Sequence, residues 1–134
     1  LRVNTILPLL FLKELVALVK GEKRCVISVL SARVGSIEDN RLGGWYSYRA
    51  SKAALNMLVK TAAVEYERRA KNVRLLLFHP GTVDTNLSKP FQSKSSTKLM
   101  QPSEVAMSLI QLMDRSETDS NIEFIDWEGQ KINW

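Results

Sequence analysis

Three segments of the chain have the hydrophobic pattern of β-strands. Residues 25–30, CVISVL, and residues 73–78, VRLLLF, are nearly continuous apolar runs. Such runs are typical of strands buried on both faces, as in a parallel sheet. Residues 122–127, IEFIDW, alternate between apolar and polar positions, which predicts a strand at the outside of the sheet.

Helical periodicity predicts helices over residues 5–20, 46–71 and 103–115. Pro8 suits the first turn of the first helix, and Ser103 is placed to cap the third. The resulting order is helix, strand, helix, strand, helix, strand. This order predicts an α/β fold in which helices pack over a doubly wound parallel sheet.

Two segments lack a regular period. Residues 31–45 mix glycine, serine, asparagine and aspartate after the first strand, and loops of this length in compact domains are usually functional. Residues 86–101 are rich in serine and lysine, and we expect them to be mobile.

Composition narrows the class of protein. With 134 residues, 45% of them hydrophobic, the chain suits one domain with a core. The apolar N-terminal run over residues 2–18 is interrupted by Lys13 and Glu14, so we expect neither a signal peptide nor a membrane anchor. The single Cys25 forms no internal disulfide and is expected to be a small buried apolar residue. A reducing compartment, the cytoplasm, is therefore predicted.

The net charge is +5 and is unevenly distributed. Residues 1–71 hold thirteen Lys and Arg against six Asp and Glu, whereas residues 72–134 hold six against eight. The basic residues are spread over predicted helices and their ends, which favours solvated helix faces. Binding to nucleic acid or another anionic surface stays an alternative, but neither a nucleic-acid nor a membrane partner is expected.

Residues 46–52, YSYRASK, contain a tyrosine and a lysine four positions apart. Residues at this spacing share one helix face, so Tyr48 and Lys52 lie one above the other, whereas Tyr46 points elsewhere. A phenol has a pKa of about 10, and a fixed ammonium nearby lowers it. The pair therefore predicts an acid/base catalyst, although this spacing also occurs by chance on many helices.

Three segments together, VISVLSARVGS (26–36), YSYRASKAALN (46–56) and HPGTVDT (79–85), resemble the short-chain dehydrogenase/reductase superfamily. The resemblance covers nearly the whole chain and is nearest to the branch with C-factor-like and carbonyl-reductase-like proteins. It implies a Rossmann-like fold, NAD or NADP as cofactor, and hydride transfer between a nicotinamide and a small carbonyl or alcohol substrate. No metal is implied.

The resemblance also implies roles for residues. Tyr48 would donate a proton to the substrate carbonyl or accept one in the reverse direction. Lys52 would lower the pKa of Tyr48 and hydrogen-bond the nicotinamide ribose. Asn4 would hold a water that links Lys52 to solvent, and a helix cap is the compatible structural interpretation of Asn4.

The catalytic serine of the family has two candidate positions in this sequence. It is usually the second serine of a pair, three residues before a glycine, and that position relative to Gly35 is Ala32. Ser31 lies one residue earlier and Ser36 directly follows the glycine. Ser31 is preferred, Ser36 is the alternative, and the absence of any serine role is the third possibility.

The segment after the second strand resembles the part of the family that lies along the nicotinamide and its phosphates. The matching residues are Pro80, Gly81, Val83 and Thr85. Residues 86–101 would then be a flap over the substrate.

Two other side chains, His79 and Trp45, could contribute to a site. His79, the only histidine, is interpreted as structural. Trp45 is near enough to Tyr48 to line a pocket.

The first half of the family has no counterpart in this sequence. Its glycine-rich phosphate loop, its NAD or NADP selecting residue and its adenine pocket are absent from the 134 residues. The resemblance implies that residues 1–134 are the C-terminal catalytic portion of a single Rossmann-fold domain, without its N-terminal dinucleotide-binding half. A homo-oligomer through the first two helices is also implied. A non-catalytic signalling or binding relative, or an inactive truncated fragment, is the alternative to an oxidoreductase.

Overall fold

The computed structural model describes residues 1–90, 99–115 and 121–134. The predicted order of long elements is confirmed, with two short strands added after the second long strand. In chain order the elements are α1 (Leu7–Val19), β1 (Cys25–Leu30), α2 (Tyr46–Arg69), β2 (Val73–His79), β3 (Thr82–Val83), β4 (Leu99–Met100), α3 (Pro102–Arg115) and β5 (Ile122–Asp126).

The main sheet is parallel, as predicted. β2 lies between β1 and β5 and runs parallel to both. Leu30 is in register with Phe78, and His79 is in register with Asp126. The carboxyl ends of the three strands therefore meet at one edge, which is where open α/β sheets bind ligands.

Helices cover both faces of this sheet. Leu75 and Leu77 of β2 belong to a core on one face, and Leu76 and Phe78 belong to a core on the other, as the two-residue period of a strand requires. The first core is completed by residues of α1 and α2, among them Leu12, Val16, Leu55 and Val59. Val105 of α3 packs in the second core. The doubly wound arrangement is thereby confirmed.

The first helix begins later than predicted. Arg2–Ile6 form a π-helical turn, and α1 begins at Leu7 instead of residue 5. Pro8 lies in the first turn of α1, where its ring and its missing N–H prevent the usual bond to the carbonyl of Asn4. The Leu7 amide instead donates to the Arg2 carbonyl. The proline therefore accounts for the wider turn.

The predicted cap of the third helix is wrong. α3 begins at Pro102, so Ser103 lies inside its first turn. Proline fits the first helical position because the amide it lacks would have no partner there. The Glu104 carboxylate accepts a hydrogen bond from the Gln101 amide at 2.9 Å and so closes the helix start in place of the serine.

Leu99–Met100, at the C-terminal end of the segment 86–101, form a short strand that was not predicted, and the expected mobility of the segment stays a prediction. β4 pairs in parallel with β3, because Met100 is buried in the second core beside Phe78. At the other end, the Ser88 hydroxyl donates to the Val83 carbonyl at 2.5 Å. Residues 91–98 of the predicted flap lie outside the described residues.

The loop after β1 packs closely against α2. A short turn, Arg33–Gly35, packs against the helix. A Cβ added to Gly35 would lie 2.8 Å from the backbone carbonyl carbon of Lys52 and 3.0 Å from Asn56 Nδ2. Only glycine fits this approach without moving the helix. Gly35 therefore sets the distance between the loop and α2.

We expect Gly35→Ala to lower the free energy of unfolding by about 1–3 kcal/mol, because its methyl group overpacks the contact with the Lys52 backbone. Urea unfolding of the full-length native protein measures the change. Gly21→Ala is the matched control, because a Cβ at Gly21 meets nothing within 4 Å. Equal effects of the two substitutions would contradict the close-approach argument.

Candidate active site

Three polar side chains follow one another on a single face of α2. Tyr48, Lys52 and Asn56 are spaced by four residues within the uninterrupted helix, so they share a face. Lys52 Nζ donates to the Leu30 carbonyl at the end of β1, 2.9 Å away. Asn56 Oδ1 accepts from the Ser31 hydroxyl at 2.5 Å. This face of α2 therefore borders the carboxyl edge of the sheet.

The structure separates the two candidate serines. Ser31 is buried and hydrogen-bonded to Asn56, next to the residue whose carbonyl holds Lys52. Ser36 is also buried, but its hydroxyl donates to the Trp134 carbonyl at 3.4 Å. It also accepts the Asp39 amide at 3.1 Å. Ser31 therefore lies on the α2 side of the loop, whereas Ser36 is engaged with the C-terminal residue.

Asn4 lies in the π-helical turn and contacts α2. Its side-chain amide donates to the Ser51 hydroxyl at 3.5 Å, and that hydroxyl donates to the Tyr48 carbonyl at 2.8 Å. The cap interpretation of Asn4 is wrong, because no side chain caps the start of the turn or of α1. Thr5 strengthens the same junction through a 2.9 Å bond from its hydroxyl to the Ser51 carbonyl. Ser51 thus links Asn4 to the Tyr48 turn.

Partial burial shifts the pKa of both members of the predicted pair. It raises the pKa of Tyr48 above the ordinary value of 10.0, and it lowers the pKa of Lys52 below 10.5, because a low-dielectric environment disfavours charge. The expectation that Lys52 lowers the pKa of Tyr48 stays a prediction. The Lys52 ammonium is directed to the Leu30 carbonyl.

The turn after β2 begins at the same edge of the sheet. Gly81 has a φ of +73°, and a Cβ there would lie 2.9 Å from the Trp127 ring, so both conformation and space require glycine. Val83 lies in β3, and the Thr85 amide donates to Ser88 Oγ at 3.3 Å. Pro80, half-buried, connects β2 to this turn. The four predicted cofactor residues thus follow β2 in one continuous segment.

An ion pair that was not predicted from the sequence joins the loop after β1 to the end of β5. Arg33 Nη2 lies 2.8 Å from Asp126 Oδ2, and Arg33 Nη1 lies 3.3 Å from Asp39 Oδ2. Asp126 is buried, and its other oxygen accepts the amides of Glu128 and Gln130. Asp126 stands at the end of a strand predicted from the sequence, and an acidic residue in that position could have indicated a buried ion pair. The pair ties the loop after β1 to the end of β5.

His79 is unsuited to act as a base. Burial, with Arg33 as the next cause, lowers the pKa of His79 from 6.5 to about 4. The nearby carboxylates of Asp126 and Asp39 oppose this shift only in part. The imidazole is therefore neutral at physiological pH and binds a proton weakly, in agreement with its interpretation as structural.

Two other kinds of site are absent from the parts of the chain that the structure describes. Within residues 1–90, 99–115 and 121–134, no group of three His, Cys, Asp or Glu side chains could hold a metal ion. None of the helices in those ranges is long and apolar enough to cross a bilayer.

The family relationship follows from the sequence of the segments that build this site. Residues 2–96, which contain Asn4, Ser31, Tyr48 and Lys52, match the family model described as short chain dehydrogenase. The chain belongs to the short chain dehydrogenase family. The match ends within the segment between β3 and β4, so it includes both loops that begin at the carboxyl edge of β1 and β2.

Two known proteins are similar to the chain over most of its length. The 1-hydroxy-2-glutathionyl-2-methyl-3-butene dehydrogenase of Rhodococcus sp. (strain AD45) is 33% identical over 135 residues, covering 100% of this chain and 57% of that protein. C-signal of Myxococcus xanthus is 33% identical over 115 residues, covering 86% of this chain and 64% of that protein. The chain therefore spans less than two thirds of the length of these relatives.

A solved structure extends the likeness to three dimensions. The NADPH-bound carbonyl reductase from chicken fatty liver superposes on the chain with a TM-score of 0.75 at 32% identity. The superposition covers 98% of this chain and 54% of that one. The Rossmann-like fold of this family is thus shared over the described elements.

We expect the free energy of unfolding to fall as the pH is lowered from 6.5 towards 4. In this window the unfolded state binds a proton at His79 that the folded state does not bind until about pH 4. At about 1.36 kcal/mol per pKa unit, the loss due to His79 is about 3 kcal/mol. Urea unfolding at several pH values measures it, and His79→Gln should remove this part of the dependence. Parallel pH profiles for wild type and variant would refute the assignment.

Proposed function

We propose that this protein is an NAD(P)-dependent oxidoreductase that transfers a hydride between a nicotinamide and a small carbonyl or alcohol substrate. The observation that carries the proposal is the shared face of α2. Tyr48 and Lys52 lie there beside the end of β1, and the Ser31 hydroxyl is bonded to Asn56 on the same face. The similarity to a named dehydrogenase and a named carbonyl reductase supports the same reaction class.

The residues at this edge suit the nicotinamide end of a dinucleotide. An ammonium has three donors, and the Leu30 carbonyl takes one of those of Lys52, which leaves donors for ribose hydroxyls. Gly81 presents backbone with no side chain beside β2, and Pro80, Val83 and Thr85 continue that wall. The glycine-rich turn that holds a pyrophosphate has no counterpart in the 134 residues. The residues at this edge could therefore bind only the nicotinamide half of the dinucleotide. Either NAD or NADP is compatible with it.

Tyr48 holds the proton that reduction of a carbonyl requires. Burial raises its pKa, so the phenol is neutral at physiological pH, and release of the proton to a carbonyl oxygen depends on a positive charge nearby. A bound nicotinamide supplies the hydride for reduction, or accepts it in the reverse direction. During reduction the carbonyl oxygen gains the Tyr48 proton, and Lys52 stabilises the phenolate that results.

Ser31 and Asn4 support this proton transfer. The Ser31 hydroxyl would polarise the substrate carbonyl, and to do so it must exchange its bond to Asn56 for one to the substrate. Asn4 contacts Ser51, the residue between the Tyr48 turn and Lys52, which is a suitable position for a water that connects Lys52 to solvent. The proton lost by Tyr48 would be replaced along this route.

A non-catalytic relative is the second candidate function. Ala32 occupies the usual serine position, and the Ser31 hydroxyl is turned towards Asn56 in a buried contact. Similarity to C-signal supports a signalling or binding protein of the same fold. Binding of NADPH without turnover over a broad set of carbonyl compounds would favour this candidate over the oxidoreductase.

The cellular location and the assembly are also proposals. Cys25 is half-buried in β1 and is the only cysteine, which suits the reducing cytoplasm. α1 carries apolar side chains on its outer face as well as towards the core, and the exposed ones include Leu7, Leu10, Phe11 and Leu18. An apolar outer face of this kind favours a homo-oligomer through α1 and α2.

In the full-length native protein, Tyr48→Phe should lower kcat about 100-fold or more, because the only change is loss of the proton that general acid catalysis requires. The assay follows NADPH oxidation with a carbonyl substrate, and calorimetric titration with NADPH verifies that the variant still binds the cofactor. Tyr46→Phe is the matched control, since Tyr46 is 86% exposed and should keep wild-type turnover. Wild-type kcat in Tyr48→Phe would exclude the proposed role.

Replacing Phe11, which is 68% exposed on α1, by Glu should shift the protein from oligomer to monomer, because a buried charge opposes association through an apolar face. Light scattering after size-exclusion chromatography measures the mass. Met107→Glu on α3, across the sheet, is the control and should leave the mass unchanged. A wild-type protein that is monomeric at micromolar concentration would contradict the proposal.

A further inference from the structure

Arg49 joins the two ends of the loop over residues 34–44 by hydrogen bonds. It lies between Tyr48 and Lys52 in the sequence. Its Nε donates to the Gly44 carbonyl at 3.1 Å and its Nη2 donates to the Gly43 carbonyl at 3.2 Å. On the other side, Nη1 donates to the Val34 carbonyl at 3.3 Å. One guanidinium therefore joins the beginning and the end of the loop.

The carbonyls that Arg49 binds belong to an unusual backbone segment. Gly43, Gly44 and Trp45 have φ values of 66°, 69° and 48°, so three consecutive residues are left-handed. The conformation is permitted at glycine but costs about 1–2 kcal/mol at a residue with a Cβ such as Trp45. Such strain persists only where other contacts hold the backbone. The hydrogen bonds from Arg49 are contacts of this kind.

The guanidinium also contacts the strained tryptophan itself. The Arg49 Cζ lies 5.9 Å from the centroid of the Trp45 ring, within the range of a cation–π interaction. The Trp45 carbonyl accepts the Arg49 amide at 2.9 Å as the first bond of α2. Main chain and side chain of Arg49 thus both act on Trp45, three residues before Tyr48.

The loop held in this way presents apolar side chains to solvent. Ile37 is 78% exposed, Leu42 is 87% exposed and Trp45 is 56% exposed. Neither core includes any of these three residues. Three exposed apolar side chains in one loop, which leads directly into the helix that carries Tyr48, suit contact with a ligand.

We propose that Arg49 is a positioning residue that holds residues 36–45 as an apolar wall beside Tyr48, and that this wall selects carbonyl substrates with a bulky aromatic substituent. The proposal rests on the proposed oxidoreductase function and deepens it. Trp45 contacts the aromatic substituent, and Arg49 acts through Trp45 and the glycine carbonyls without touching the substrate. Tyr48 remains the group that acts on the carbonyl.

Lysine cannot replace Arg49 in this role. Three carbonyls are bound by donors that project in different directions from one planar group. An ammonium on a flexible stem keeps the charge but loses this fixed fork. Arg49→Lys therefore separates the geometry of the clamp from its charge.

The first experiment measures the clamp without any assay of activity. Limited digestion of the full-length native protein with trypsin should cut after Arg41, inside the loop, about tenfold faster in Arg49→Lys than in wild type. Mass spectrometry of the products identifies the cut. Arg69→Lys is the control, because the only ion pair described for Arg69 is with Glu65, and its rate of cleavage should match wild type. An unchanged rate in Arg49→Lys would overturn the clamp.

The second experiment measures substrate selection with two diones that differ by one phenyl group. For 1-phenyl-1,2-propanedione, Trp45→Ala and Arg49→Lys should each lower kcat/KM about tenfold through KM. For 2,3-butanedione, which has no aromatic group, the loss of kcat/KM should be several-fold smaller, so both variants should lose preference for the phenyl dione over 2,3-butanedione. Trp45→Ala removes the ring from the wall but keeps the three carbonyls that the Arg49 guanidinium binds, whereas Arg49→Lys keeps the ring and loses the fork.

The outcomes distinguish the inference from the function on which it rests. Equal losses on both diones in the two variants would overturn the selective role of the wall. Absence of turnover with either dione in wild type, together with faster cleavage in Arg49→Lys, would overturn the selection of phenyl diones while supporting the clamp. Absence of turnover over a broad set of carbonyl compounds would overturn the oxidoreductase function as well. A selective loss on the phenyl dione supports the proposal in full.

Discussion

The contact between the loop after β1 and α2 is the constraint on which the candidate site depends. Gly35 allows the two backbones to approach so closely that any Cβ would collide with Lys52. At that distance the Lys52 ammonium reaches the Leu30 carbonyl, and Asn56 reaches Ser31. The polar groups of the site are therefore held in relation to one another by a packing contact that itself contains no reactive group.

The parallel sheet explains why this contact occurs at one edge. Because β1, β2 and β5 run in the same direction, the loops that follow them leave the sheet together. The Arg33 to Asp126 ion pair then joins the first of these loops to the last strand. Both faces of the sheet are covered by helices, so the loops at the carboxyl edge are the part of the molecule that can vary without loss of the core.

Burial has opposite consequences for two titratable groups at this edge. It raises the pKa of Tyr48 and lowers the pKa of His79 to about 4, because each shift favours the uncharged form. Near neutral pH the phenol therefore holds a proton, whereas the imidazole has little value as a base. In the proposed reaction, the positive charge of Lys52 is what allows Tyr48 to release its proton.

Residue patterns along the chain were enough to predict the parallel α/β class, the order of the long elements and the shared face of Tyr48 and Lys52. These depend on local periodicity, because a continuous apolar run suits a buried strand and a four-residue spacing suits one helix face. Other features of the site could be known only from the folded chain. Ser31 hydrogen-bonds to Asn56, and Ser36 hydrogen-bonds to Trp134. Arg49 closes its loop, and desolvation raises the pKa of Tyr48. Most of these contacts join residues far apart in the chain, and desolvation depends on everything packed around the phenol, so no local pattern of residue types contains them.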